Sequence, residues 1–229
     1  MPDRLAIEVD GRCTTALAYR ANDDRRIHAT IVLAHGAGAG QTSRFIVSFA
    51  AGFASRGLDV LTFNFLYTEQ GRRLPDRTEA LEACYRAAIE AARGHAPFEG
   101  NALFIGGKSM GGRIASHLAA TEEDTAAGRS KGVVLLGYPL HPPGKRNQLR
   151  VAHLPKIRVP MLFVQGSRDP FGTPEELRPH LAGLAASVTV HVVENGDHSL
   201  APPKSCALSA DQVYSQLQNI IATWIADLI

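Results

Sequence analysis

The chain has 229 residues, 45% hydrophobic and 20% charged, and its formal net charge at neutral pH is +2. This length suits one globular domain with a sizeable core, so we expect residues 1–229 to form a single domain. Lys and Arg are dispersed among acids, which speaks against a nucleic-acid partner. Cys13, Cys84 and Cys206 match no metal or disulfide spacing. No apolar run suits a membrane span or a secretory signal, so we expect a cytoplasmic protein without a membrane partner.

Apolar runs typical of strands alternate with helical patterns along the chain. A hairpin is expected at residues 5–19, and further strands are expected at 30–34, 60–65, 102–105, 132–136, 161–164 and 188–193. Helices are expected at 44–56, 76–93, 114–120, 174–185 and 210–228. Apolar strands separated by helices predict an α/β fold with a mostly parallel central sheet and helices on both faces. In such sheets, functional residues lie on loops at the carboxyl ends of the strands.

A glycine-flanked serine follows one of these strands. Gly107-Lys108-Ser109-Met110-Gly111 lies between the apolar run 102–105 and the small-residue helical pattern 114–120. The glycines permit a sharp turn that leaves the serine hydroxyl exposed above the sheet. G-x-S-x-G in a strand–turn–helix setting predicts that Ser109 is a nucleophile.

A nucleophilic serine also needs a base and an acid. The base is an imidazole that takes the hydroxyl proton, and a carboxylate fixes the tautomer of that imidazole. Asp169 lies on the loop after the predicted strand 161–164, and His198 lies on the loop after the last strand. The order Ser, Asp, His is the order of the nucleophile-elbow enzymes, so we predict His198 as base and Asp169 as orienting acid. Asp197 is a rival acid, but a direct neighbour of the histidine is poorly placed to bond its ring.

Acyl transfer further requires backbone N–H groups that face the oxygen on which negative charge develops. Losing one such donor raises the activation free energy by about 3 kcal/mol. Met110, directly after the serine, is the first predicted donor. The second is expected in the glycine-rich loop 34–40, where Ala37 is favoured over Gly36. We expect His35 in the same loop to brace the backbone.

Two nucleotide-binding patterns are matched only in part. Residues 107–109 resemble the end of a phosphate-binding loop, but the required earlier glycine falls at Ala102 inside a strand. The loop 36–41 lacks the third glycine of the dinucleotide fingerprint, and no acid follows at the expected distance. We therefore expect no cofactor and no metal.

These motifs together resemble the α/β-hydrolase superfamily over essentially the whole chain. Segments 35–38, 107–113, 137–144 and 165–172 are similar to a compact branch near the dienelactone hydrolases. That branch includes testis-expressed hydrolase-like proteins and a scaffold subunit of the non-specific lethal acetyltransferase complex. Dienelactone hydrolases use a cysteine nucleophile, so the serine here argues against that activity. Leu66 also departs from the proline expected at its position.

The stretch 138–160 is the place where many lipases insert a helical cap. Here it is short and rich in Pro, His and basic residues, so we expect an α/β-hydrolase fold with a minimal cap domain or none. A small or open pocket follows, and a long-chain lipase is disfavoured. The predicted pocket-lining residues are Tyr67, Tyr138, Leu140 and His141. Basic residues that could surround the mouth and favour anionic acyl substrates are Lys108, Arg113, Lys145, Arg146 and Arg168.

The leading hypothesis from the sequence is a serine hydrolase, a carboxylesterase acting on a small ester or related acyl compound. Ser109 attacks the carbonyl, His198 carries the proton, and the amides of Met110 and Ala37 hold the oxyanion. The alternative is a non-catalytic scaffold or interaction module that keeps the fold, as the chromatin-associated member of the branch suggests.

Overall fold

The computed structural model describes residues 1–121 and 130–229. Its strands are β1 (Asp3–Val9), β2 (Arg12–Tyr19), β3 (Ala29–Ala34), β4 (Asp59–Phe63), β5 (Ala102–Lys108), β6 (Val133–Leu136), β7 (Met161–Gly166) and β8 (Val188–Val193). Its α-helices are α1 (Arg44–Ala54), α2 (Leu66–Glu69), α3 (Thr78–Arg93), α4 (Met110–Thr121), α5 (Pro174–Leu181) and α6 (Ala210–Ala226).

The eight strands form one sheet in the order β1-β2-β4-β3-β5-β6-β7-β8. The hairpin of β1 and β2 is antiparallel, and β2 pairs antiparallel with β4. All further neighbours, from β4 to β8, are parallel. The predicted mostly parallel sheet is therefore confirmed, and the carboxyl ends of β3, β5, β7 and β8 meet at one edge.

The sheet separates two apolar layers, because successive side chains of a strand point to opposite faces. On β3, Ile31 and Leu33 join the layer formed with α1 and α6, whereas Val32 and Ala34 join the layer formed with α3 and α4. Strands covered on both faces carry apolar residues at every position, which explains the continuous apolar runs of the sequence.

Several predicted element boundaries shift. β4 ends at Phe63, two residues earlier than expected, and the short helix α2 follows. Phe65 turns the chain there, because its N–H donates to a ring nitrogen of His35 at 3.1 Å. β5 continues to Lys108, and α5 ends at Leu181.

The segment between β6 and β7 carries no cap domain. Residues 137–160 contain one 3-10 helix, Leu154–Lys156, and otherwise irregular chain. The expectation of a minimal cap is met. No helix in the described parts of the chain is both long and apolar enough to cross a membrane.

One buried side chain joins β3 to β5 beside the site. The hydroxyl of Tyr85, on α3, lies 2.7 Å from the carbonyl oxygens of Val32 and Gly106, and it accepts from the Gly106 N–H at 2.9 Å. A phenol therefore satisfies backbone groups of two adjacent central strands, just before the turn that carries Ser109.

Removing this hydroxyl should destabilise the fold. Tyr85→Phe removes the hydrogen bonds between the phenol and these buried backbone groups, and a hydrogen bond of this kind contributes about 0.5–1.5 kcal/mol. Urea unfolding of wild type and variant measures the loss. Tyr19→Phe is the matched control, since the Tyr19 hydroxyl has no hydrogen-bond partner among the described residues. Equal stability losses in the two variants would contradict the assigned role of Tyr85.

Candidate active site

Ser109 is the single residue between β5 and α4, and its backbone φ is +50°. Left-handed backbone is strained for a residue with a side chain, and it persists only where the surroundings hold it. Here the Ser109 N–H donates to the Leu136 carbonyl at 2.9 Å, and the Ser109 carbonyl accepts from the Arg113 N–H at 3.0 Å. The turn is thus tied both to β6 and to the first turn of α4.

The glycines of the motif let α4 begin directly against β3. A Cβ on Gly107 would lie 2.6 Å from the Ala34 carbonyl oxygen. A Cβ on Gly111 would lie 2.6 Å from the carbonyl oxygens of both Ala34 and His35. No side chain fits at those distances, so both positions require glycine for a steric reason.

The three residues predicted as nucleophile, base and acid form one hydrogen-bonded chain. The Ser109 Oγ lies 2.8 Å from His198 Nε2. On the other side of the ring, His198 Nδ1 lies 2.8 Å and 3.0 Å from the two carboxylate oxygens of Asp169. The carboxylate accepts a hydrogen bond from the Nδ1–H group, which leaves the Nε2 lone pair facing the serine hydroxyl.

The Asp169 carboxylate is fully buried and held in place by two further donors. The Phe171 N–H donates to one oxygen at 2.8 Å, and the Gln165 side-chain amide donates to the other at 3.0 Å. The carboxylate of the rival acid Asp197 accepts instead from the N–H groups of Ser199 and Ala201. Asp197 therefore shapes the loop, whereas Asp169 contacts the imidazole.

The loop that carries His198 is fixed by packing as well as by hydrogen bonds. The Phe171 ring stacks on the imidazole, with centroids 4.1 Å apart and an interplanar angle of 28°. A Cβ on Gly166, at the end of β7, would lie 2.4 Å from the Gly196 carbonyl oxygen and 2.5 Å from that of Asp197. The loop thus lies directly on the end of β7.

The side chain of Lys108 also holds the loop that carries His198. Lys108 is 9% exposed, and its Nζ donates a short hydrogen bond to the His198 carbonyl oxygen. Gly137 makes room for this contact, because a Cβ there would lie 2.9 Å from the Nζ. Burial lowers the pKa of Lys108 to about 8, against the opposing effect of the Asp169 and Asp197 charges. The sequence predicted Lys108 only as a cation at the mouth.

The glycine-rich loop after β3 lies against the serine turn. A Cβ on Gly36 would lie 3.5 Å from the Ser109 Cβ. His35 is completely buried; its Nδ1 lies 2.8 Å from the Gly36 carbonyl oxygen, and its Nε2 accepts from Phe65. Burial lowers the pKa of His35 to about 4, so this histidine is neutral and braces the loop, as its position suggested.

The two predicted oxyanion donors border the same space as the serine. Met110 and Ala37 both line the cavity in front of Ser109. Met110 is the first residue of α4, so its N–H has no acceptor within the helix. The Ala37 N–H has no hydrogen-bond acceptor among the described residues.

Ser109 and His198 open into a cavity of about 530 Å³. Apolar side chains form much of its wall, and four charged residues interrupt them. The apolar set includes Phe45, Ile46, Pro75, Leu81, Met110, Pro139 and Phe171, and the charged residues are Asp76, Lys108, Arg113 and Arg150. The volume suits a small substrate.

The structure places none of the four predicted pocket residues in this wall. Tyr67 is buried, and the centroid of its ring lies 6.1 Å from that of the His35 ring. Tyr138 is buried and donates to the Arg150 carbonyl at 2.6 Å. Leu140 is buried in the α3–α4 layer. His141 lies in a separate depression, where its Nε2 is 3.7 Å from a carboxylate oxygen of Glu176.

The sequence reasoning missed Phe45, Phe171 and Arg150. Phe45 and Phe171 had a usable signal, because they lie near the predicted loop ends, at the start of α1 and two residues after Asp169. Arg150 had none, since it belongs to an irregular segment. Among residues 1–121 and 130–229, no group of three His, Cys, Asp or Glu side chains is placed to hold a metal ion.

The buried Lys108 should make stability depend on pH in a defined direction. Its pKa lies at about 8 in the folded protein, below its ordinary value of 10.5, so between these pH values the unfolded chain holds more of this proton. The free energy of unfolding then rises with pH through this group. We therefore compare the free energy of unfolding of wild type with that of Lys108→Met. The difference, wild type minus variant, should increase by at least about 1 kcal/mol between about pH 7.5 and pH 10.

Urea unfolding at the two pH values measures this difference, in which contributions common to both proteins cancel. Lys145→Met, at an exposed position, is the control and should show a smaller change. A difference between wild type and Lys108→Met that is the same at both pH values would refute the prediction.

Comparison with known proteins shows the family of this chain. A family model described as an alpha/beta hydrolase domain matches residues 27–226. The fold is similar to dienelactone hydrolase from Anabaena variabilis, with a TM-score of 0.77, 18% identity and coverage of 99% of this chain and 97% of that one. The fold is also similar to Est1E from Butyrivibrio proteoclasticus, with a TM-score of 0.74, 15% identity and coverage of 98% of each chain.

A serine hydrolase without a lid from Xanthomonas campestris is also similar, with a TM-score of 0.70, 16% identity and coverage of 97% of this chain and 94% of that one. These identities are low, so the solved structures support the fold. The family match spans most of the chain, and the protein belongs to the α/β-hydrolase family.

Proposed function

We propose that this protein is a serine hydrolase, a carboxylesterase that cleaves small ester or related acyl substrates through an acyl-enzyme. The observation that carries the proposal is the hydrogen-bonded chain from Ser109 through His198 to Asp169, whose serine end opens into the 530 Å³ cavity. A nucleophile, a base and an orienting acid within hydrogen-bond reach are what acyl transfer to a serine requires.

In the proposed reaction, Ser109 Oγ bonds to the substrate carbonyl carbon while its proton passes to His198 Nε2. The buried Asp169 carboxylate stabilises the imidazolium that forms. The N–H groups of Met110 and Ala37 are proposed to hold the oxyanion. The C–O bond to the alcohol then breaks as His198 protonates the leaving oxygen. Water, activated by the same imidazole, hydrolyses the acyl-enzyme and restores the serine.

The alternative is a scaffold that has kept the fold, in line with the proposed resemblance to the branch of testis-expressed hydrolase-like proteins and the non-specific lethal complex subunit. A scaffold has no need for the aligned hydrogen bonds on both sides of His198, so the geometry favours the enzyme. We also infer a single domain, since all eight strands join one sheet. The cytoplasmic location stays a prediction.

Replacing the nucleophile should abolish the activity. We expect wild type to hydrolyse p-nitrophenyl butyrate and to react with a fluorophosphonate probe, and Ser109→Ala to lose at least about 10⁴-fold in kcat with no labelling. Ser43→Ala is the matched control, because Ser43 lines the same cavity but makes no side-chain cap bond to α1. A folded wild type that neither turns over esters nor takes the label would favour the scaffold.

The two neighbouring acids should differ sharply. Asp169→Asn keeps the shape of the side chain but no longer fixes the imidazole tautomer, so we expect kcat to fall about 10⁴-fold. Asp197→Asn retains an oxygen for the loop N–H groups, and we expect a loss below about tenfold. Ester hydrolysis by both variants, with circular dichroism to check folding, decides the assignment. A larger loss in Asp197→Asn would transfer the role of acid to Asp197.

A further inference from the structure

The cavity wall carries two guanidinium groups that form no ion pair with any carboxylate in the described parts of the chain. Arg113 and Arg150 both line the cavity beside Ser109. Arg113 lies one helical turn after Ser109 on α4, whereas Arg150 comes from the irregular segment between β6 and β7. Two cations from different parts of the chain therefore meet in one partly buried wall.

The Arg113 side chain has no hydrogen-bonding or ion-pairing partner among the described residues. Burial is the main cause that lowers the pKa of His153, to about 4, and the pKa of His117, and the positive charge of Arg113 contributes to both shifts. The centroids of these two rings lie 4.2 Å apart. A guanidinium with free donors, facing a cavity, is suited to bind an oxyanion in two-point fashion.

Arg150 is similarly unbalanced. One of its nitrogens donates to the Pro139 carbonyl at 3.2 Å, which contributes no negative charge. Burial lowers the pKa of Arg150, and the charge of Arg113 lowers it further. The two guanidinium groups therefore repel each other across the wall, and an anion placed between them would relieve that repulsion.

The nearby acids are already paired. Asp76, the acid in the wall, accepts from Arg72 at 2.6 Å. Glu82, on α3, contacts His117 at 3.1 Å and Arg86 at 3.3 Å.

The remaining cation of the wall, Lys108, donates to the His198 carbonyl. Three of the basic residues predicted at the mouth do not line the cavity. Lys145 is exposed, Arg146 pairs with Glu176 at 2.8 Å, and Arg168 lines the separate depression beside that pair. The unbalanced charge of the cavity thus belongs to Arg113 and Arg150.

We propose that the substrate of this site is an ester that carries a carboxylate, which Arg113 and Arg150 bind while Ser109 attacks the ester carbonyl. This inference rests on the proposed hydrolase function and narrows its substrate class. The bonds made and broken are those of the reaction above, because the carboxylate is held and takes no part in the chemistry.

Matched pairs of substrates test the proposal and locate the carboxylate. The acyl arm compares the mono-p-nitrophenyl ester of adipic acid with its methyl ester, which has nearly the same shape without the charge. The alcohol arm compares 4-(butyryloxy)benzoate with its methyl ester. Charge-assisted hydrogen bonds predict that the charged member of at least one pair has a kcat/KM roughly 10- to 100-fold higher. The preference should shrink as ionic strength rises.

Variants assign the preference to the two arginines. Arg113→Met and Arg150→Met should each bring the charged-to-neutral ratio of kcat/KM towards one. Arg113→Lys and Arg150→Lys keep a positive charge and should retain part of the preference, which separates loss of charge from loss of folding. Arg146→Met is the control and should leave the ratio unchanged.

The outcomes are distinguishable from failure of the proposed function. Equal rates for both members of both pairs, with hydrolysis intact, would overturn the inference alone, as would an unchanged ratio in both methionine variants. Without ester turnover or fluorophosphonate labelling, the hydrolase proposal fails, and calorimetry with adipate then decides the anion site. Binding to wild type that is lost in Arg113→Met supports the site, and absence of binding to wild type overturns it.

Discussion

The close contact between the serine turn and β3 is the constraint on which the site depends. Ser109 adopts a left-handed backbone that its side chain disfavours. Cβ atoms on Gly107 and Gly111 would lie only 2.6 Å from carbonyl oxygens of β3 and of the loop after it. This contact places the first turn of α4 against the glycine-rich loop after β3. As a result Ser109 and Met110 line the same cavity as Ala37, which comes from a segment distant in sequence.

The second half of the site is assembled at the same edge of the sheet by the loops after β7 and β8. Gly166 lets the His198 loop rest on the end of β7, and Lys108, adjacent to the serine, donates to the His198 carbonyl. The residue before the nucleophile therefore holds the backbone of the base. The buried charges partly compensate each other, since the Lys108 ammonium lies within the field of the Asp169 carboxylate.

Sequence reasoning located the parts of the site that local chemistry determines. The Ser109 turn and the positions of Asp169 and His198 after strands follow from periodicity and motif, and the structure brings all three side chains into contact. The pocket wall was not predictable in this way. Tyr67 and Tyr138 are large, partly polar residues near strand ends, yet tertiary packing buries them, and the Tyr138 hydroxyl binds the backbone of the segment that carries Arg150. Arg150 lies on an irregular segment, whose path no periodic pattern encodes.

The buried Tyr138 links the packing of the segment between β6 and β7 to the positive charge of the cavity wall. An irregular segment normally lies on the surface, where a guanidinium would be solvated and electrostatically weak. Here the Tyr138 hydroxyl and the Pro139 carbonyl hold the segment and the side chain of Arg150 against the cavity, within the field of Arg113. Keeping two like charges together in a partly desolvated wall costs free energy. Residues 137–160 form no cap domain, so an anion from solvent can reach this wall, where it would offset the cost.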